Sequence, residues 1–220
     1  MASKTSTMKF FSLLISSFAI IQMARAGDPD TLSDFIVPPN VTTVDASFFT
    51  FTGMRFLVPT TTFKVSKISL AEFPALNGQS VSYAILQFPA GTPTPPHIHP
   101  RASELLFLFR GTLQVGFVDT TNKLFNRTLQ TGDIFVFPKG LVYFQYNADT
   151  QIPALAISAF GSANAGTVSL PNTLFTAGID DNILAKSFKT DIATIQALQA
   201  GLAPKPWGWH SLLITTLWYR

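Results

Sequence analysis

Two histidines and a glutamate are the residues of this chain whose types and spacing best suit chemistry. The segment Pro95-Pro96-His97-Ile98-His99-Pro100 sets two imidazoles two residues apart, and residues i and i+2 of an extended chain project to the same face. The extension is enforced locally, because the residue before a proline is pushed out of the α region and that residue is His99. Glu104 follows five residues later at the head of an apolar run, so that after one turn its carboxylate can reach the same pocket. Two imidazoles and a carboxylate form the donor set that suits manganese, iron or zinc in a site with open positions. The third histidine, His210, lies far away near the end of the chain. Cysteine is absent, which excludes a disulfide scaffold, a cysteine-ligated zinc site and a thiol nucleophile.

The elements that must position these residues are β-strands. Short runs rich in Val, Ile, Phe, Thr and Tyr recur between about Phe63 and Phe160, and turn signals separate them. The pattern predicts strands at Phe63 to Leu70, Val81 to Phe88, Glu104 to Phe109, Thr112 to Asp119, Leu124 to Gln130, Ile134 to Phe137, Val142 to Tyr146 and Ala154 to Phe160. Eight antiparallel strands of this length suit an all-β jelly roll or barrel, which removes exposed edges. Phe107, Phe109, Phe135, Phe137 and Phe144 fit core and interface positions. Beyond Gly161 the texture changes. Asp180 or Asp181 can cap a helix through Phe188 with Ile183, Leu184 and Phe188 on one side, and Thr190 can cap a second ending at Gly201 with Ile192, Ile195 and Leu198 at near-helical spacing. The sum is a β-barrel with a small C-terminal helical appendage.

The two ends read differently from the middle. Residues 1–26 carry Lys4 and Lys9, the 12-residue apolar run Phe10 to Ile21, and Ala24-Arg25-Ala26, the order of a secretory signal peptide cleaved before Gly27. The apolar run falls short of the ~20 residues a bilayer span needs, so no transmembrane anchor is expected. The whole chain has 15 basic and 12 acidic residues, a net charge of +3. Removing the leader removes Lys4, Lys9 and Arg25 and no acid, which leaves 12 of each sign. A neutral chain without a basic run offers no footprint for nucleic acid. In a secreted chain Asn40-Val41-Thr42 and Asn126-Arg127-Thr128 become candidate glycosylation sites at Asn40 and Asn126. Residues 207–220 hold all three tryptophans, follow two prolines, and are read as an atypical apolar tail.

Gly91, His97-x-His99, Glu104 and Gly111 together resemble the first motif of the cupin family, and Gly132, Pro138-x-Gly140, Tyr143 and Asn147 the second. Within the cupins the chain resembles the germin-like proteins of plants, through Asp28-Pro29-Asp30, Phe73-Pro74-Ala75-Leu76-Asn77-Gly78, Asp180-Asp181-Asn182 and Ile195-Gln196-Ala197-Leu198. The resemblance implies a cupin domain over residues 27–206, its strand core about 63–160 and its helices about 180–201. It further implies a secreted, apoplastic protein that binds manganese, assembles into hexamers, and serves in the cell wall or in defence. His97, His99 and Glu104 match three of the family's four metal ligands. Tyr143 stands where the fourth, a histidine, is expected. The family's N-terminal cysteine pair is also missing, so the disulfide that ties down that arm cannot form.

Three outcomes follow from Tyr143: ligation as tyrosinate, a three-ligand site completed by water, or a site too weak to stay loaded, with iron as the alternative metal for the first. The reading adopted is a weakened manganese site on His97, His99 and Glu104. Redox catalysis is more exposed to the change than binding is, because ligand identity tunes a cycling metal. The expectation leans towards a non-catalytic extracellular cupin. The alternative is an active manganese oxidoreductase of the superoxide dismutase or oxalate oxidase type.

Overall fold

The computed structural model describes residues 28, 29 and 31–203. The candidate leader and the tail 207–220 lie outside the described residues. Two compact units divide the chain, one running through Val168 and the other beginning at Ser169.

The first unit is built from antiparallel strands in two five-stranded sheets. Numbered along the chain, the strands are β1 (Lys64–Ile68), β2 (Ser82–Phe88), β3 (His97–Ile98), β4 (Glu104–Arg110), β5 (Thr112–Val118), β6 (Leu124–Gln130), β7 (Ile134–Phe137), β8 (Val142–Tyr146), β9 (Ala154–Phe160) and β10 (Val168–Ser169). The orders are β1-β2-β9-β4-β7 and β10-β3-β8-β5-β6. All eight expected strands form, to within two residues at each end. Two very short ones, β3 and β10, were not foreseen, because two-residue strands carry no periodicity.

Alternation selects the inward face of each strand. Along β9 the inward residues are Ala154, Ala156, Ser158 and Phe160; along β2 they are Ser82, Ala84, Leu86 and Phe88. The core gathers side chains of both sheets, including Leu86, Phe88, Leu106 and Leu108 from one and Leu113, Val115, Leu129 and Tyr143 from the other. Burying such side chains contributes roughly 1.5–3 kcal/mol each. Phe137 belongs to this core, but Phe107 and Phe109 point outward and are exposed. The β4–β9 pairing slips between Leu108 and Arg110, leaving Phe109 as the extra residue of a bulge, so β4 runs one residue further than alternation predicts. The turn into β5 needs Gly111. Its φ is +87°, and a Cβ there would sit 3.0 Å from the Ala154 Cα and from the Pro153 carbonyl oxygen.

Among the described residues, the second unit holds three helices: α1 (Leu170–Phe175), α2 (Asp181–Phe188) and α3 (Ile192–Leu202). Asp180 caps α2 by accepting from the Asn182 and Ile183 amides. The cap of α3 is Asp191, whose carboxylate accepts from the Thr194 N–H at 2.7 Å. Thr190 is one residue too early, because the preceding helix ends on Lys189 in the left-handed conformation and the Thr190 N–H is taken by the Ala185 carbonyl. Leu184, Ala185 and Ile195 form the core of this unit with Phe175 against them. Ile183, Phe188, Ile192 and Leu198 are exposed, contrary to the helical-face expectation. The missed helix α1 opens with Leu170-Pro171, and proline in the first helical turn is its one signal.

Candidate metal centre

Strand pairing brings the sequence-distant residues together. β3 pairs with β8 so that His97 lies directly opposite Tyr143. β4 pairs with β9 so that Glu104 lies opposite Phe160 and Leu106 opposite Ser158. His97, His99 and Glu104 each offer a ligand atom, and these atoms lie within 4.8 Å of one another. Tyr143 joins them: its ring centroid is 4.3 Å from that of His97 and 5.6 Å from that of His99, and it stacks on Phe137 at 4.3 Å. Phe160 packs edge-on against His99. All four candidate site residues therefore converge inside the barrel unit.

The hydrogen bonds fix which nitrogen of each imidazole is free. His97 Nδ1 lies 2.9 Å from the Pro95 carbonyl oxygen, and His99 Nδ1 contacts the Gly166 carbonyl oxygen. A carbonyl only accepts, so each Nδ1 carries the proton and each Nε2 keeps its lone pair. This is the arrangement in which a histidine ligates a metal while its other nitrogen is held by a partner. His99 Nε2 faces Glu104 Oε2 at 3.5 Å. Burial holds the His97 imidazole below its ordinary pKa, with His99 adding to the effect and the Pro95 carbonyl and Glu104 opposing it. The ring is thus neutral and available as a ligand at neutral pH.

Glu104 is only 2% exposed, and both its oxygens are engaged. Tyr143 donates its hydroxyl to Oε2 at 2.5 Å, and Ser158 donates to Oε1. The Tyr143 pKa is pushed far up, chiefly by burial and then by the Glu104 charge and the hydrogen bond to it. Tyr143 therefore enters this site as a neutral donor to the carboxylate. The residues present fit a divalent first-row cation: two imidazoles presenting Nε2, and one buried carboxylate whose oxygens keep lone pairs free beyond the hydroxyls they accept.

Several participants were not singled out in the sequence. Ser158 is fully buried, and its one signal is a hydroxyl at an inward position among the alanines of β9. Gln145, two residues beyond Tyr143 on the same face of β8, is fully buried with its Nε2 donor unpartnered. Asn147 does not turn to the metal-ligating group. Its Nδ2 donates to the carbonyls of Phe88, Pro89 and Ile152 while its Oδ1 accepts from the Asp149 N–H, the work of a loop brace. Asn40 and Asn126, the sequon residues, are both exposed.

A family model described as Cupin matches residues 58–196. Germin-like protein 9-3 of Oryza sativa subsp. japonica is 56% identical over 84% of this chain and 91% of the relative. Among solved structures, an oxalate oxidase in complex with the substrate analogue glycolate superposes with a TM-score of 0.72 at 31% identity, covering 80% of this chain and 98% of the other. Peruvianin-I, a cysteine peptidase from Thevetia peruviana latex, superposes with a TM-score of 0.60 at 26% identity, covering 65% of this chain and 98% of the other. Thiol peptidase chemistry has no counterpart here, since this chain contains no cysteine.

Proposed function

The chain belongs to the germin-like proteins of the cupin family, and on that premise we propose that it is a secreted, apoplastic cupin that binds manganese weakly through His97, His99 and Glu104. The observation that carries this reading is the shared tautomer of the two imidazoles, each with Nδ1 on a backbone carbonyl and Nε2 free, beside a buried carboxylate. Tyr143 would not supply the fourth ligand. Its hydroxyl is committed to Glu104 and its pKa is raised, so tyrosinate ligation is disfavoured and solvent would complete the coordination. Bound manganese would supply a Lewis-acidic, redox-active centre. This chain's own part is to hold two neutral imidazoles, to keep Glu104 in place through Tyr143 and Ser158, and to wall the site with Phe137 and Phe160.

Secretion is supported by the leader-like composition of residues 1–26, and glycan attachment at Asn40 and Asn126 by their exposure. No helix among the described residues is long and apolar enough to cross a membrane. Assembly into a homo-oligomer, a hexamer by family resemblance, belongs to the same reading, as does a role in the cell wall or in defence.

Titration of metal-free secreted protein with Mn(II), reading the free ion by electron paramagnetic resonance, tests the site. One saturable ion per chain, lost in His99→Ala, is expected; no saturable binding overturns the reading. The oxalate oxidase neighbour favours a second reading, a manganese oxidoreductase. Oxalate or superoxide turnover that tracks manganese content would establish it, and a loaded but inactive protein would remove it.

A further inference from the structure

The two metal-facing imidazoles are held by very different means. His97 takes its carbonyl from Pro95, two residues away on the same strand approach, so its tautomer is set locally. His99 takes its carbonyl from Gly166, 67 residues on, so its tautomer is only as secure as the loop between β9 and β10 that carries Gly166. That loop is fastened by the Leu70 N–H on the Ala163 carbonyl at 2.8 Å, by the Ser82 hydroxyl on the Ser162 carbonyl at 2.6 Å, and by two charged side chains. Asp28 grips its first half, accepting from Ser162 Oγ and from the Ala163 N–H, both at 2.6 Å. Arg101 grips its second half. The Arg101 Nε donates to the Asn164 carbonyl at 2.6 Å, Nη2 donates to Asn164 Oδ1 at 2.8 Å, and the backbone N–H donates to the Ala165 carbonyl at 3.2 Å.

Gly166 is shaped around this grip. Its φ is +68°, and a Cβ at that position would lie 2.7 Å from Arg101 Nη2 and 2.9 Å from Cζ. The guanidinium thus lies where a side chain would otherwise stand, over the residue whose carbonyl holds His99. A planar fork with several donors suits two contacts on one asparagine, and a lysine offers no such fork.

We propose that Arg101 is a positioning residue for the metal site: by clamping the Asn164–Gly166 segment it keeps the Gly166 carbonyl on His99 Nδ1 and so keeps Nε2 of His99 free to ligate. Asp28 is the secondary grip, acting on the same loop from the N-terminal arm. This proposal rests on the reading of His97, His99 and Glu104 as metal ligands, but its first readout needs no metal. Loss of a partner on the far nitrogen of a ligating histidine typically weakens metal binding 10–100-fold.

The test uses protein labelled with 15N at histidine, in which long-range proton–nitrogen spectra report the tautomer of each ring. In the metal-free wild type, His97 and His99 are both expected to be protonated at Nδ1. In Arg101→Ala, His99 is expected to become a mixture of tautomers while His97 stays unchanged, and Arg101→Lys should not restore it. Gly166→Ala, which displaces the guanidinium without removing it, should reproduce the effect. Mn(II) affinity should fall 10–100-fold in Arg101→Ala and by a smaller factor in Asp28→Asn. A role confined to stability would move the urea midpoint and leave the His99 tautomer intact, so an unchanged tautomer with Mn(II) affinity within twofold of wild type overturns the proposal. If Arg101→Ala does not fold, Asp28→Asn and Gly166→Ala decide by the same tautomer criterion. Wild type that binds no Mn(II) refutes the metal reading, and the tautomer spectra still decide the role of Arg101.

Discussion

Tyr143 is the residue on which the chemistry of this cupin turns. It occupies the position where the family resemblance leads one to expect a histidine, and its hydroxyl instead satisfies the carboxylate of Glu104. Two substitutions separate these roles. Tyr143→His is expected to raise Mn(II) affinity by at least tenfold by restoring an imidazole; unchanged affinity in a titration would mean that position 143 never limited the site. Tyr143→Phe strips a hydrogen bond from a buried carboxylate, which costs about 1–3 kcal/mol. Urea unfolding of metal-free protein should show that loss, and saturating Mn(II) should recover part of it, since the cation then neutralises Glu104. A pH dependence follows from His97. Its folded-state pKa lies below the ordinary 6.5, so the unfolded chain binds more protons and stability falls as pH drops from about 6.5 towards the folded-state value. That loss is expected in wild-type metal-free protein and should be absent from His97→Gln; parallel pH profiles for the two would contradict it. The closeness of His97, His99 and Glu104 was legible in sequence from same-face spacing and a following proline taken together with the resemblance to the first cupin motif. The donors Ser158 and Tyr143 to Glu104 were not, because their contacts depend on which strands become neighbours.

At the scale of elements, the strands were legible because most alternate between an apolar interior and a more exposed exterior, and seven of the eight keep their expected boundaries to within one residue. What escaped has physical reasons. β3 exists only because neighbouring strands lie beside it, and its one residue paired with β8, His97, has no pattern of its own. The helical faces were misjudged because three short helices bury few side chains, so Ile183, Ile192 and Leu198 stay exposed despite near-helical spacing. Glycines at positive φ sit in the turns, and Gly111 supplies a test. Alanine there meets both a left-handed backbone, which costs roughly 1–2 kcal/mol, and the close approach of Ala154 and Pro153. Gly111→Ala is therefore expected to lower stability by about 2 kcal/mol or more in urea unfolding of the metal-free protein. A change below about 0.5 kcal/mol would mean that the β4–β5 turn can relax.

For the whole molecule, the low charge and the outer face of one sheet bear on the same question. The expected mature chain has equal numbers of acids and bases, so charge repulsion does little to keep copies apart. Register places Leu105 opposite Val136 and Phe107 opposite Ile134 across β4 and β7, so that Val136 and Leu105 share the outward face with Ile134 and Phe107. Ile134 is 60% and Val136 55% exposed, and Leu105, Phe107 and Phe109 lie exposed with them. Contiguous apolar surface of this kind on a β-sheet is characteristic of faces that become covered. If the proposed oligomer uses this face, a charge at its centre should oppose assembly, since an unpaired carboxylate would have to be desolvated on association. Val136→Glu is the substitution to make, because its side chain points away from the metal-ligating residues and from the core between the sheets. Light scattering is expected to show a smaller assembly for Val136→Glu than for wild type, with Mn(II) affinity per chain unchanged. Wild-type mass in the variant would place the assembly contacts elsewhere on the molecule, and a monomeric wild type would remove the oligomer from the proposed function.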